Sequence, residues 1–459
     1  MNKKRLPKST YPNRYEIELD VDLDNFSYTG AQKVDLNVVE ATNNIVLNSV
    51  GIEVTKAKIQ TTKQDIPLEV NYIEEDEKIV FESQETLSEG VYELYLEFNS
   101  EITNDLKGFY KSSYMSEDGE KKWIATTQFE PTAARSAFPC WDEPEYKAIF
   151  SMTIITDEKY LRVSNEMVVE EEKVENNKLR TKFADSMKMS SYLVAFVIGD
   201  LEATVVGKSK TTDIRIIHRP GFSHQTSYAG TAAIKLLDFF EDYYKIPYPG
   251  TKLDLIAIPD FAMGAMENVG AVTFRENLLL FDKDKATRSE LDRSITVIAH
   301  ELAHMWFGDL VTMKWWDGIW LNEAFASLME VIASYNTYPE FKQWNAMNMS
   351  RTAGFSIDSL ENSRPVEFDV ETPDQAEEMF DVLTYEKGST VLRMFQMFIG
   401  EEAFQNGVEA YLNKFKFENT NSSDLWDALS EASNQPLNKI LPFWIREYGY
   451  PFLQVDCSN

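Results

Sequence analysis

Cysteine is nearly absent, with two in 459 residues, Cys140 and Cys457. Two thiols so far apart build neither a disulfide framework nor a thiolate zinc site, which fits a reducing compartment. Long apolar runs are missing too. No stretch of about 18 apolar residues occurs, so no membrane-spanning helix is expected. The basic start MNKKRLPK is not followed by the apolar core of a signal peptide, and the expected location is cytoplasmic. Positive charge is scarce: 45 Lys and Arg face 75 Asp and Glu, a formal net charge of −30. So acidic a chain lacks the cationic surface that binds nucleic acid or anionic membranes, and neither is expected as a partner. Internal repeats and low-complexity tracts are absent. Histidine is rare, with four residues in the whole chain.

What is present is material for packed cores. The chain is 43% hydrophobic and 13% aromatic, and its length is roughly three domains' worth by the usual prior. In RYEIELDVDLD, Tyr15, Ile17, Leu19, Val21 and Leu23 alternate with polar residues, the period-two pattern of a half-buried strand. Tyr92, Leu94, Leu96 and Phe98 repeat it. Val169 to Lys178 (VEEEKVENNK) reads as an exposed hairpin tip, and the apolar Ser190 to Glu202 as a strand-like close. Residues 1–200 are therefore expected to form an N-terminal antiparallel β domain. Cys140, with no histidine near it in sequence, reads as a buried structural residue.

From about residue 227 the period becomes helical. Ala229 to Tyr244 predicts a helix stopped by Pro247, Pro249 and Gly250, followed by a short strand over Leu253 to Ile258. Helical patterns fill 287–446, interrupted by a polar loop near 350–375, and 201–447 reads as a second, mostly helical domain. A last helix is expected over Leu437 to Tyr448, broken by Gly449. In 448–459, Phe452, Leu453 and Val455 are expected to open a strand of a further, truncated β domain.

Two of the four histidines stand four apart, in His300-Glu301-Leu302-Ala303-His304. Leu291, Ile295, Ile298, Leu302 and Met305 recur at helical steps around them, with Gly308 as the expected stop. Positions i and i+4 share a helix face, so both imidazoles project toward one Zn²⁺, and Glu301 beside them suits a general base for a water on that metal. His218 and His224 read as surface loop residues. A catalytic zinc takes three protein ligands. In WLNEAFASLMEVIAS, Leu321, Phe325, Leu328 and Ile332 form a buried stripe. Glu323 alone would be a solvated helix residue; downstream of the histidine pair it becomes the third ligand. Glu330, two turns on, either orients a ligating histidine or is a plain surface carboxylate.

With TQFEPTAARSAFPCWDEP (127–144), GAMENVGAVTFRE (264–276), HELAHMWFGDLVTMKWWDGIWLNEAFA (300–326) and TYEKGSTVLRMF (384–395), the chain resembles the zinc aminopeptidases of the aminopeptidase N type over nearly its whole length. Within that family it looks most similar to the cytoplasmic bacterial members. The resemblance implies a multidomain α+β fold, with a saddle-like N-terminal β sandwich and a thermolysin-like, mostly helical catalytic domain carrying a small edge sheet. It implies one zinc per chain on His300, His304 and Glu323, Glu301 as base and Tyr385 as the oxyanion-stabilising residue. Gly264, Ala265, Met266, Glu267 and Asn268 match the exopeptidase motif, with Glu267 on the substrate's α-amino group and Glu130 as a second amine ligand. Gln128, Met263 and Glu386 would line the pocket for the first side chain. Peptides with free N-termini are the implied substrates, and a C-terminal helical domain that normally covers the active site is expected to be missing. Rival readings are an endopeptidase or lipid-epoxide hydrolase with the same zinc core, and a silent peptide-binding scaffold.

Overall fold

The computed structural model describes residues 5–60, 64–451 and 454–456. The alternating pattern near the N-terminus forms the strand Thr10–Asp22, whose Tyr15, Ile17, Leu19 and Val21 are all buried on one face. This strand pairs antiparallel with Ser27–Val38 and parallel with Ile149–Asp157 inside a ten-stranded sheet. Ser27–Val38 in turn pairs with Gly90–Glu101. Gly30 lies opposite Phe98 in that register, and a Cβ on it would stand 2.3 Å from the ring. Overfilling a packed core costs about 1–3 kcal/mol, so Gly30→Ala is expected to lower the melting temperature by about 2–12 °C. A calorimetric scan that leaves the melting temperature unmoved would show that this contact relaxes freely.

The VEEEKVENNK segment forms a hairpin between Val168–Lys173 and Lys178–Phe183 at the sheet edge. Asn176 and Asn177 supply its positive φ angles of 62° and 56°, the left-handed backbone that asparagine tolerates. A second sheet of four strands has the order Leu161–Ser164, Phe196–Gly199, Lys121–Gln128, Gly108–Met115. Its strand Lys121–Gln128 hands the chain to Glu130. Cys140 is buried, and burial pushes its thiol well above the usual range.

A five-stranded sheet begins at Glu202–Ser209 and continues in the order Thr212–His218, Lys252–Ile258, Ala271–Arg275, Ala265–Met266. Lys252–Ile258 is buried at all seven positions, as expected of a parallel strand covered on both faces. The two-residue strand Ala265–Met266 pairs antiparallel with Phe274 and Thr273 and leaves an open edge. The end of that motif is clamped from the β half. Asn165 donates its amide to Leu193 O and Val269 O at 2.8 and 2.9 Å, and the buried Lys252 Nζ reaches Ser164 O, Asp254 Oδ2 and Gly270 O at 2.6–2.7 Å.

The helices among the described residues are α1 Ser227–Tyr244, α2 Arg288–His304, α3 Ile319–Thr337, α4 Gln343–Asp358, α5 Pro373–Glu378, α6 Gly388–Ile399, α7 Glu401–Lys414, α8 Ser422–Ser433 and α9 Leu437–Ile445. Helix α2 starts with a capping box, Thr287 Oγ1 accepting from Glu290 N and the Glu290 carboxylate from Thr287 N. The fold is thus α+β, a β-rich N-terminal half followed by a helical domain. None of these helices is long and apolar enough to cross a membrane.

Four expectations need correction. Helix α4 runs on to Asp358, so the polar loop is confined to 359–372. The last helix stops at Ile445, three residues before Tyr448. No strand forms at 450–451 or 454–456, and Phe452 and Leu453 lie outside the described residues. His218 is fully buried as the last residue of its strand, its ring nitrogens 2.8 Å from Thr204 Oγ1 and from Arg219 O. The exposed His224 matches expectation.

Candidate active site

Helix α2 ends at His304, earlier than Gly308, the expected stop. Gly308 has a different use. It sits at φ 136°, and a Cβ on it would lie 3.2 Å from His304 Nδ1 and 3.4 Å from Asn322 Nδ2. The turn after α2 therefore folds back tightly under the second histidine. His304 Nδ1 pairs with Phe307 O at 2.9 Å in that turn, and His300 Nδ1 with Glu330 Oε2 at 2.8 Å. With each Nδ1 donating to an oxygen, both imidazoles present the Nε2 lone pair. Both face α3, where Glu323 Oε2 stands 3.2 Å from His300 Nε2 and 3.4 Å from His304 Nε2.

That arrangement fits zinc. Ligand atoms at 2.0–2.1 Å from a tetrahedral ion stand about 3.3–3.4 Å from one another, close to the observed separations, and the donors of all three residues fall within 4.8 Å. The electrostatics agree. Burial disfavours charge on His300 and His304, yet Glu323 with Glu330 holds the first well above the usual histidine range, and Glu267 with Glu323 pushes the second up to about 10. Burial would raise Glu323, but the two imidazoles hold it well below the usual carboxylate range. A dication displaces such protons and takes over their role.

The cluster forms one wall of a cleft of about 370 Å³. Glu301, 5% exposed, lies in it, and burial pushes its carboxyl up to about 8 against the pull of His300 and His304. The Tyr385 ring lies nearly parallel to that of His300, with centroids 5.9 Å apart. Burial first, then Glu323 and Glu130, holds its phenol far above the usual range, so it stays a neutral donor. Gln128, Glu130, Met263, Gly264, Ala265, Met266, Glu267, Glu330 and Glu386 also line the cleft. Glu130, Glu267 and Glu323 bring carboxylate oxygens within 4.8 Å of one another. Oε1 of Glu130 and of Glu267 are buried without a hydrogen-bond partner, as is Gln128 Oε1. Burial drives both glutamates up, Glu267 adding to it at Glu130 and His304 opposing it at Glu267.

Asn268 is not brought to the cleft. It is buried behind the edge strand, donating to Ala271 O and Thr273 Oγ1 at 3.4 and 3.3 Å. Four lining residues escaped the sequence reading: Arg293, Val297, Ser327 and Phe380. Three carried a signal. Val297 and Arg293 precede His300 by three and seven positions and Ser327 follows Glu323 by four, spacings that share a helix face. Nothing in the sequence marks Phe380.

A profile of the Peptidase M1 N-terminal domain matches residues 11–193, and one of the Peptidase family M1 domain matches 228–444. Aminopeptidase M1 of Arabidopsis thaliana is 42% identical over 460 residues, which takes in 99% of this chain and 52% of the relative. Aminopeptidase M1-A of Oryza sativa subsp. japonica is 41% identical with the same coverage, 99% and 52%. The puromycin-sensitive aminopeptidase of Caenorhabditis elegans is 38% identical, over 98% of this chain and 48% of its own. The chain spans about half the length of the curated relatives it matches. Two profiles of one family, in family order and together covering most of the sequence, agree with these relatives: the chain belongs to the peptidase M1 family.

Proposed function

We propose that this protein is a zinc-dependent aminopeptidase of the cytoplasm that removes single residues from the free N-termini of peptides. The carrying observation is the pair of unpartnered, buried carboxylate oxygens on Glu130 and Glu267, set beside the His300, His304 and Glu323 donors. A hydrolytic centre flanked by buried carboxyl oxygens that lack a hydrogen-bond donor suits a substrate whose own cation lies next to the bond to be cut. The division of labour between an N-terminal domain ending near 200 and a catalytic domain over 201–447 is supported by the new sheet that opens at Glu202.

In this reading the substrate backbone adds to the open edge of Ala265–Met266. Its α-ammonium enters between Glu130 and Glu267, and Gln128, Met263 and Glu386 surround its first side chain. Zn²⁺ held by His300, His304 and Glu323 would supply Lewis acidity at the scissile carbonyl and make a water acidic. A Glu301 carboxylate oxygen takes the proton from the attacking water and passes it to the leaving nitrogen. The Tyr385 hydroxyl donates to the oxygen on which negative charge develops. Glu330 holds His300 by its Nδ1 so that Nε2 keeps facing the cleft.

A panel of aminoacyl-coumarins, assayed with and without chelator, tests this. Release of the fluorophore is expected to cease on chelation and to return with zinc. Turnover indifferent to the chelator, or confined to N-terminally blocked peptides, would rule the reading out.

A further inference from the structure

Among the buried residues of the 384–395 stretch that have no part in the chemistry above are Lys387 and Gly388. They close the π turn Leu383–Lys387, in which the Gly388 N–H reaches back five residues to Leu383 O. Such a turn persists where its surroundings hold it. At its entrance, Asp381 Oδ1 accepts from Leu383 N and Thr384 N at 2.9 and 3.1 Å, and Arg364 Nη2 grips Asp381 Oδ1 and Thr384 Oγ1 at 2.6 and 3.0 Å. At its exit, Lys387 Nζ donates to Asp358 Oδ2 at 2.9 Å, Gly449 O at 3.0 Å and Glu447 O at 3.4 Å. Asp358 is itself fixed, its Oδ1 accepting from Ser363 Oγ at 2.8 Å and Gly449 N at 2.9 Å. Gly388 meanwhile lies against α3, where a Cβ on it would stand 2.6 Å from Ala324 Cβ. Ala324 follows Glu323 directly.

We propose that Lys387 and Gly388 are positioning residues for Tyr385. Lys387 pins the end of the π turn to the last residue of α4 and to the 447–449 segment that follows α9, and Gly388 lets that turn come close enough to α3 to hold the phenol beside Glu323 and His300. This rests on the role given to Tyr385 above, and it makes the 447–449 segment part of what sets the catalytic geometry.

The test labels the protein with 3-fluorotyrosine and assigns Tyr385 as the ¹⁹F resonance that Tyr385→Phe removes. That resonance is expected to move in Lys387→Met and in Gly388→Ala, and to return in Gly388→Ala/Ala324→Gly, which reopens the contact. Misplacement by about 1 Å can cost about 100-fold, so Lys387→Met is expected to lower kcat by about 10–100-fold with KM within about twofold. In a Tyr385→Phe background it should change kcat by less than about twofold, because both act through one hydroxyl. A resonance that stays in place, or equal kcat losses in the two backgrounds, overturns the proposal. Should Tyr385→Phe leave kcat unchanged, the catalytic role of Tyr385 fails instead, and the resonance alone still decides whether Lys387 and Gly388 place the ring. Asp358→Asn, which keeps the side-chain volume and removes the charge facing Lys387, takes the place of Lys387→Met if that variant does not fold.

Discussion

Glu301→Gln is expected to bind zinc as the parent chain does and to hydrolyse peptides about 10²–10⁴-fold more slowly, whereas His304→Ala is expected to lose the metal. The two residues sit three positions apart on α2, so the contrast comes from chemistry and not from place. His304 Nε2 is one of the atoms that close on Glu323 Oε2. Glu301 is absent from that group of donors and faces the same cleft, 5% exposed. Glutamine keeps the volume and the burial of Glu301 and removes only the carboxylate that accepts a proton. Truncation of His304 removes one of three ligands, and a site left with His300 and Glu323 no longer encloses the ion. Elemental analysis beside a coumarin assay reads both. Equal metal content in the two variants would break the assignment, and zinc lost from Glu301→Gln would make Glu301 a ligand.

The parts of this site that were legible in the sequence are those set by helical spacing. His300 and His304 face one way because 3.6 residues make a turn, and Glu323 and Glu330 follow on one face of α3 for the same reason. Glu130 and Glu267 obey no such rule. Glu130 leaves the end of a strand in the four-stranded sheet and Glu267 follows the edge strand of the five-stranded one, so only the resemblance of their motifs put them together. Asn268 shows the limit of that route, since a motif residue can serve the strand behind the site. His218, expected in a surface loop, instead ends a strand, and its hydrogen-bond partner Thr204 comes from the neighbouring strand, which no local pattern marks. Gly308 reads as a helix stop from sequence, but what demands a glycine is its φ of 136°, with the His304 ring 3.2 Å from its absent Cβ adding to the constraint. The π turn was invisible for a similar reason. Leu383–Lys387 has an ordinary helical sequence, and its extra residue is held by Asp358, Arg364 and Ala324, all remote in the chain. Local patterns fix which face a side chain takes; the contacts between elements decide how close it comes.

Substitution of Glu267 by alanine is expected to lower kcat/KM for free peptides by some tens- to thousands-fold and to leave zinc content unchanged. Zinc, Glu301 and Tyr385 would hydrolyse any peptide bond set before them, so preference for the first bond has to come from the substrate's amino end. Glu130 and Glu267 are 8% and 3% exposed, and each has a buried Oε1 with no hydrogen-bond partner. Together with Glu323 they crowd three carboxyl groups into one small volume, where burial disfavours the charged forms of Glu130 and Glu267. An α-ammonium supplies the missing countercharge with three N–H donors, whereas an acetylated amine has no charge and a single N–H. Loss of one partner from a buried, hydrogen-bonded charge pair typically costs about 2–5 kcal/mol, which sets the expected range. Glu130→Ala is expected to act in the same direction. Matched free and N-acetylated peptides, incubated with the parent chain and with both variants, separate the possibilities by mass spectrometry. The parent chain should cleave only the free peptide, one residue at a time from its N-terminus. If it cuts the acetylated peptide as readily, Glu130 and Glu267 do not anchor an amine, and the same zinc centre serves an endopeptidase.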